Sequence, residues 1–243
     1  MSDHDATGRP VRSEESYPKL ISLVVHELRT PASVVGGYLR MLQRDSSAMS
    51  DQQRKMIDEA SKSCARLVEL VAELSDVGKL DAGLTTLASQ PLDFFALVHD
   101  VAAHVHEAEE REVRLEVRGP ATGARMTGDS TRLGAAIHAI FRAILREMPS
   151  TSTVVAECRL DDRGPRRSAV LVVAPDATVQ ASYDAPASAF DEKRGGLGLA
   201  LPIARRVVEA HGGRLYAPAS TKEGPDTAAR GAAIVTIPLE TIR

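Results

Sequence analysis

The apolar residues in the first third of the chain recur at the spacing of amphipathic helices. Over residues 20–42 they step by three and four positions, and over residues 57–74 they follow a heptad alternation. Ser50 and Gln53 have the residue types and spacing of a capping box, in which each side chain accepts a free backbone N–H of the other residue. We therefore predict a helical hairpin over residues 16–81, with a break between its two helices.

The apolar seams of this hairpin are too extensive for two helices to bury by themselves. The first seam consists of Leu20, Val24, Leu28, Pro31, Val35, Tyr38 and Leu42. A lone hairpin covers part of each seam, and a second copy can cover the remainder in a four-helix bundle. The sequence therefore predicts a homodimer formed through residues 16–80.

The pattern changes after Asp81, from helical stripes to short alternating runs mixed with further helical patterns. The alternating runs cover 113–117, 154–158, 169–173 and 232–237, and the helical patterns lie near 94–109, 130–147 and 199–210. Because the strands and helices are interleaved without a strict β-α-β rhythm, we expect an antiparallel or mixed sheet with helices on one face. The predicted organisation is a disordered tail (1–15), the hairpin domain (16–81), a linker (82–90) and an α+β domain (91–243).

Composition and charge argue against several classes of function. The 243 residues carry a formal net charge of −3, include no Trp and are only 3% aromatic, which speaks against nucleic acid as a partner. No stretch approaches the roughly 20 apolar residues of a membrane span, and the polar first residues differ from a signal peptide. Cys64 and Cys158 lie in apolar patterns, as reduced core thiols do. We therefore expect a cytoplasmic protein without a membrane span, so that any membrane sensor would belong to a separate protein.

His26 lies off the apolar seam of the first predicted helix. At about 100° per residue its side chain is turned toward solvent, and Thr30 lies one turn further along on the same side. Glu27 can hold one ring nitrogen protonated and leave the other as a nucleophile. Pro31 has no N–H to offer the carbonyl of residue 27, which loosens the helix at this point. These features suit a reactive histidine, although a solvated surface histidine is also compatible with them.

The segment HELRTP at residues 26–31, together with the heptad helix that follows, resembles the H-box of the two-component sensor histidine kinase family. The resemblance implies a HisKA-type dimerisation and phosphoacceptor domain. By it, His26 accepts a phosphoryl group, Glu27 assists the transfer, and Thr30 positions water when the phosphorylated partner is hydrolysed. The partner implied in this way is the receiver domain of a response regulator.

A second resemblance lies in the segment FDEKRGGLGLALPIARRVVEAHGGRL at residues 190–215, which is similar to the F-box and G2-box of the ATP-binding domains of the same family. It implies an α+β sandwich of Bergerat type (HATPase, or GHKL, class) with ATP and Mg²⁺ as cofactors. Glycines before a helix leave backbone N–H groups free to face phosphates. The nucleotide-binding residues implied by the resemblance are Gly195, Gly196, Gly198 and Leu199, with Arg146, Lys193 and Arg194 as phosphate contacts.

Several positions of the second domain depart from the family pattern. In the family a helix asparagine holds Mg²⁺. The two asparagine positions of that helix fall here on Ala139 and Ala143, and a methyl group offers no oxygen to a hard cation. The family's adenine-binding aspartate is replaced by Ala174, and Asp176 can take its place only if the loop shifts. We therefore expect a degenerate ATP site and name no metal-ligating residue.

Three functions remain open at this point. By resemblance the chain is a protein-histidine kinase, a transferase that moves phosphoryl groups between His26 and an aspartate of a response regulator. The replaced residues of the ATP site are also compatible with an ATP-independent histidine phosphotransfer protein or phosphatase. A non-catalytic scaffold is the third possibility, against which the retention of Glu27 and Thr30 beside His26 argues.

Overall fold

A computed structural model describes residues 16–45, 49–162, 166–219 and 231–239 of the chain. The predicted disordered tail, residues 1–15, lies outside the described residues. The chain divides into two compact units between Thr85 and Thr86. No helix within the described ranges is long and apolar enough to cross a membrane.

The first unit is the predicted helical hairpin. Helix α1 spans Ser16–Arg44 and includes Pro31, and helix α2 spans Asp51–Asp81. The capping box at the start of α2 is formed as expected, because the Gln53 N–H donates to Ser50 Oγ at 3.3 Å and the Ser50 N–H donates to Gln53 Oε1 at 2.9 Å. The prediction of two helices separated by a break is confirmed.

Within one chain, the hairpin is held together by a different face of α1 from the predicted seam. Ile21 and Val25 are buried and pack with Val71, and Leu74 completes the cluster. A Cβ at Gly78 would lie 2.8 Å from Ile21 Cγ2, so only glycine allows α1 and α2 to approach this closely. The seam residues are largely exposed instead, among them Leu20, Leu28, Val35, Tyr38 and Leu42. The predicted seam is therefore left open in the single chain.

The second unit contains eight strands and five α-helices within the described residues. They are β1 (Gln90–Asp93), α3 (Phe94–Ala103), α4 (Glu107–Glu110), β2 (Arg114–Arg118), β3 (Arg125–Gly128), α5 (Ser130–Glu147), β4 (Thr153–Asp161), β5 (Ser168–Pro175), α6 (Val179–Asp184), β6 (Ala187–Ser188), α7 (Ala200–Ala210), β7 (Arg214–Pro218) and β8 (Ala233–Pro238). Two 3₁₀ turns, Asp176–Thr178 and Arg194–Gly196, precede α6 and α7.

The main sheet is mixed, which is one of the two alternatives that the sequence left open. Its strand order is β2-β4-β5-β8-β7-β6, with β2 parallel to β4 and the other neighbours antiparallel, while β1 and β3 form a separate antiparallel pair. In the centre of the sheet, Val172 of β5 lies opposite Glu157 of β4 on one side and Ile234 of β8 on the other. The helical hairpin followed by an α/β sheet domain is thus the fold expected from the sequence.

The core of the second unit lies between this sheet and its long helices. Helix α5 packs against both α3 and α7 and contacts β5. Its N-cap is Asp129, whose side chain accepts the N–H of Arg132. The largest completely buried side chains come from these helices and from the sheet: Phe94, Phe95, Leu133, Ile137, Ile140, Phe141, Ile144, Leu145, Leu171, Leu201, Ile234 and Ile237.

The expectation of helices on one face of the sheet is incomplete. Val179 of the short helix α6 packs on the face that carries Val170 and Val172, while the alternate side chains Leu171 and Val173 are also completely buried. Because β5 is apolar at every position from 169 to 174, both of its faces are covered. The helical pattern near 94–109 is likewise divided, into α3 and α4.

Both cysteines are buried free thiols, as predicted. Cys64 lies on α2, and its Sγ is 3.4 Å from the carbonyl oxygen of Ala32 on α1. Burial raises the pKa of Cys158 to about 12, so this thiol stays protonated and unreactive near neutral pH.

Candidate functional site

His26 lies on the solvent-exposed side of α1, as its position off the seam predicts. The side chains of His26 and Glu27 are 77% and 69% exposed, and His26 Nδ1 is 3.1 Å from Glu27 Oε1. Thr30 is exposed one turn further along the helix. The structure thus brings the three residues together on one accessible patch.

The contact with Glu27 distinguishes the two nitrogens of the imidazole, because the carboxylate favours a proton on Nδ1. When Nδ1 carries the proton and donates it to the carboxylate, the lone pair of the neutral ring is on Nε2. This arrangement presents a nucleophilic nitrogen on an exposed ring and places a negative charge beside the opposite nitrogen. A positive charge on the ring would be stabilised by the carboxylate of Glu27.

The glycine-rich segment before α7 adopts a backbone conformation that glycine favours. Gly195, Gly196 and Gly198 have φ values of 64°, 62° and 64°, in the left-handed region where residues with a Cβ are disfavoured. Leu199 is the N-cap residue of α7, and Lys193 is exposed, with its N–H donating to Asp191 Oδ1 at 2.9 Å. The sequence alone selected these glycines, and the structure gives their conformational reason.

The first of these glycines is packed against α5. A Cβ at Gly195 would lie 2.9 Å from Ala143 Cα. The guanidinium of Arg146 donates from Nη1 to the carbonyl oxygen of Gly195 at 3.1 Å. Two residues predicted to contact nucleotide, Gly195 and Arg146, therefore contact each other.

Arg194 is buried, and its side chain is only 5% exposed. Its Nη2 and Nε donate to the two carboxylate oxygens of Glu147 at 2.5 and 2.8 Å, and its Nη1 donates to the carbonyl oxygen of Ala232 at 2.8 Å. The ring of Phe190 lies 5.3 Å from the guanidinium carbon. Any contact of Arg194 with a phosphate would require these bonds to be replaced.

The positions that would hold Mg²⁺ and adenine offer no suitable atoms. Ala139 and Ala143 are buried on α5, and Ala174 is completely buried near the end of β5. Asp176 was expected to replace the adenine-binding aspartate only if its loop shifted. In the structure, Asp176 Oδ1 accepts a hydrogen bond from Arg118 Nη1 at 2.6 Å. In the part of the chain that the structure describes, no group of three His, Cys, Asp or Glu side chains is placed to hold a metal ion. The residues present therefore do not fit an Mg²⁺–ATP complex bound in the expected way.

A cavity of about 490 Å³ opens beside the glycine segment. Its walls are formed by Glu107, Glu110, Arg111, Arg146, Glu147 and Gly195. Glu107 also forms an ion pair with Arg142. Glu107 and Glu147 were not predictable as residues of this cavity, because neither belongs to a motif and their arginine partners are far away along the chain.

The start of α5 is joined to the end of α7 by three residues, Gly128, Asp129 and His211. His211 Nδ1 donates to the Val207 carbonyl at 2.7 Å, and its Nε2 accepts the Asp129 N–H at 3.0 Å. A Cβ at Gly128 would lie 2.7 Å from His211 Cδ2, which explains the glycine. The N–H of Arg132 lowers the pKa of the Asp129 carboxyl, although burial acts in the opposite direction. This cluster is a structural link between the two helices.

Comparisons with known proteins agree with this architecture. Residues 19–83 match the family model of the His Kinase A (phospho-acceptor) domain. The chain is 26% identical over 230 residues to the probable sensor histidine kinase TcrY of Mycobacterium tuberculosis, covering 88% of this chain and 46% of TcrY. It spans between about a quarter and about half of the length of the sensor proteins it matches in this way.

Two solved structures share the fold at low sequence identity. Full-length ShkA in complex with AMPPNP superposes with a TM-score of 0.65 at 21% identity, over 93% of this chain and 46% of ShkA. The histidine kinase ThkA in complex with the response regulator protein TrrA superposes with a TM-score of 0.53 at 17% identity, over 91% of this chain and 61% of that chain. Residues 19–83 thus match a phospho-acceptor domain, and the chain as a whole is similar to sensor histidine kinases in its helical hairpin followed by an α/β sheet domain.

Proposed function

We propose that the chain carries out phosphoryl transfer between His26 and an aspartate on the receiver domain of a response regulator. The observation that carries this proposal is the exposed His26 imidazole, with Nδ1 3.1 Å from Glu27 Oε1 and Thr30 one turn away. An exposed ring is accessible to the acidic site of another protein. ThkA, which shares this fold, was solved with a response regulator, and this supports a partner of that kind.

The proposed transfer requires only His26, Glu27 and the aspartyl phosphate of the receiver. The Nε2 lone pair of neutral His26 attacks the phosphorus of an aspartyl phosphate, a new N–P bond forms, and the P–O bond to the aspartate breaks. The aspartate leaves as a carboxylate, and the ring becomes a phosphorylated imidazolium. Its Nδ1–H remains bonded to Glu27, whose negative charge stabilises the cation.

We propose that this phosphoryl group comes from the receiver and not from Mg²⁺–ATP. ATP binding is favoured by the family and by the AMPPNP bound to ShkA. Against it stand Ala139, Ala143 and Ala174, which supply neither a metal ligand nor an adenine acceptor. Phosphoryl transfer from nucleotides depends on electrostatic stabilisation by such groups. Thr30 then suits hydrolysis of the phosphorylated receiver.

The exposed apolar stripe of α1 supports a homodimer through residues 16–80. Leu28, Val35 and Tyr38 are exposed in a single chain. Covering them with the same surface of a second copy forms a four-helix bundle. Two free thiols are typical of a reducing compartment, and together with a receiver partner they support a cytoplasmic location.

The proposal is tested by following ³²P on the purified full chain. One arm supplies radiolabelled Mg²⁺–ATP, and the other supplies a ³²P-phosphorylated receiver domain without nucleotide. We expect acid-labile label on the wild-type protein, or label released as phosphate, only in the receiver arm. His26→Gln should abolish both signals, whereas His104→Gln, which alters another highly exposed histidine, should leave them unchanged. Acid-labile label from ATP on the wild type alone would show an autokinase, and no His26-dependent label or phosphate release in either arm would refute phosphotransfer.

A non-catalytic scaffold is a second candidate, favoured by the paired state of Arg194 and Asp176 in the second unit. It predicts that His26→Ala leaves signalling output intact in a cell that contains the partner regulator. Loss of output with dimerisation preserved would exclude the scaffold.

A further inference from the structure

Glu147, the last residue of α5, is the centre of a set of charged contacts that the predicted chemistry does not use. Its side chain is 21% exposed. Oε1 accepts from Arg194 Nε at 2.8 Å, and Oε2 accepts from Arg194 Nη2 at 2.5 Å and from the Gly231 N–H at 2.8 Å. One carboxylate therefore ties together the end of α5, the glycine segment before α7 and the start of β8.

Each of the three guanidinium nitrogens of Arg194 donates a hydrogen bond in these contacts. Two donors face Glu147, a third faces the carbonyl of Ala232, and Phe190 lies near the guanidinium. A buried guanidinium needs a compensating anion and hydrogen bonds for all of its donors. The protein supplies the compensating anion from its own chain.

The same contacts hold the glycine segment against α5. The Arg146 guanidinium bonds the Gly195 carbonyl, and Gly195 packs against Ala143 with no room for a Cβ. A Cβ at Gly195 would also lie 3.4 Å from Ala143 Cβ, so the small side chain of Ala143 is part of this contact. Ala143, where the family resemblance places a metal-binding asparagine, is thus the residue against which the glycine segment packs.

Carboxylates and phosphates present the same pair of oxygens to a guanidinium, and arginine binds both in a two-pronged manner. We propose that Glu147 is a built-in substitute for a phosphate ligand: it occupies Arg194 and keeps the glycine segment packed on α5 without any nucleotide. Inorganic phosphates are thereby excluded from Arg194. The inference concerns the second unit alone and does not depend on phosphotransfer at His26.

The first test measures the melting temperature of the full chain with inorganic pyrophosphate, against sodium chloride of equal ionic strength. Pyrophosphate should leave the wild-type melting temperature unchanged. Glu147→Gln should melt at a lower temperature, and pyrophosphate should raise that temperature by roughly 3 °C or more, because Arg194 is then open to the anion.

Glu157→Gln is the matched control. Glu157 is 22% exposed and accepts from Arg159 Nη2 at 2.7 Å, so it forms a comparable ion pair away from the glycine segment. Pyrophosphate should leave its melting temperature unchanged, as in the wild type. An equal response in the wild type and both variants, or no response in Glu147→Gln, would overturn the proposal.

A second measurement covers the case in which Glu147→Gln does not fold. Amide hydrogen exchange of the wild type should show the Gly231 N–H protected in the absence of nucleotide, with no change when Mg²⁺–ATP is added. Rapid exchange of this amide in nucleotide-free protein, or protection that develops only with Mg²⁺–ATP, would contradict the proposal. Neither measurement involves phosphoryl transfer, so its outcome is separate from the fate of the proposed function.

Discussion

The two units place their charged residues in opposite environments. In the hairpin, the side chain of His26 is 77% exposed, and its ring contacts the neighbouring Glu27, which is itself exposed. In the sheet domain, the side chain of Arg194 is 5% exposed and all three of its nitrogens donate hydrogen bonds within the protein. Both residues belong to segments that resemble functional motifs. A residue of a motif is therefore available for chemistry only where the tertiary structure leaves its side chain accessible.

The apolar residues differ in the same way. The hairpin leaves large side chains such as Leu28 and Tyr38 exposed, because two helices enclose only a narrow core. The sheet domain buries Leu171 and Ile234 completely between layers. The sheet domain is therefore stabilised by its own core, whereas the hairpin leaves large apolar side chains exposed in the single chain.

The largest loss of stability is expected when the buried guanidinium of Arg194 is removed. Arg194→Ala should lower the free energy of unfolding of the sheet domain by about 3–5 kcal/mol, because Glu147 is left without its partner. Glu27→Ala, which removes an exposed carboxylate from the hairpin, should leave the unfolding free energy unchanged. Urea unfolding followed by circular dichroism measures both. If both variants lost an equal and small part of the free energy of unfolding, the two units would not differ in how strongly they depend on their charged residues.

Apolar truncations should separate core stability from assembly. Ile234→Ala should destabilise the sheet domain by about 2–5 kcal/mol, since it opens a cavity in a completely buried site. Leu28→Ala should barely change unfolding within one chain and should instead weaken the dimer, because Leu28 is 47% exposed. Sedimentation equilibrium measures the dimer. A dimer unaffected by Leu28→Ala would mean that this stripe is not the interface.

The carboxylate of Asp129 provides a pH-dependent test of the helix link. Asp129→Ala should cost about 1–2 kcal/mol at pH 7, because the N–H groups of Arg132 and Ala88 lose their acceptor. The N–H of Arg132 lowers the pKa of Asp129 in the folded protein below its ordinary value of 3.8. Its stabilisation is therefore complete above that value and is lost as the pH falls through the folded pKa.

Urea unfolding of the wild type and Asp129→Ala between pH 7 and pH 3 measures this difference. The gap between the two proteins should be constant down to about pH 5 and should narrow below pH 4. A gap that is independent of pH would show that the charge of Asp129 does not contribute.

The smallest effect concerns the capping box of α2. Ser50→Ala should destabilise the hairpin by about 1 kcal/mol, since the Gln53 N–H loses its acceptor. Ser63→Ala is the control, because Ser63 is an exposed residue inside the same helix and bonds only the Glu59 carbonyl. Thermal unfolding followed by circular dichroism compares them, and equal melting temperatures would indicate that the cap adds nothing.

Much of the hairpin was predictable because its signals are local. The capping box of Ser50 and Gln53 and the exposure of His26 follow from spacings of one helical turn. The helix predicted over residues 130–147 has those bounds in the structure. By contrast, the four-residue strands β1 and β3 carry too few residues for an alternating pattern to be recognised.

The residues that pair across long stretches of chain were not predictable. Arg194 and Glu147 are 47 positions apart, and Arg118 and Asp176 are 58 positions apart. Neither pair has a repeating pattern in the sequence. The sequence indicated Arg194 as a phosphate contact, and that prediction remains untested, but its carboxylate partner became visible only in the folded chain.

The sequence by itself determined the helical hairpin, the outward position of His26 and the absence of an oxygen-bearing side chain at Ala139 and Ala143. Periodicity and residue chemistry decide these features, because they act between near neighbours or within one side chain. The tertiary structure alone decided that Ile21 faces α2, that Gly195 packs on Ala143 and that Glu147 neutralises Arg194. Such contacts depend on which distant surfaces meet, and burial determines whether a charged group is free to react or must be paired.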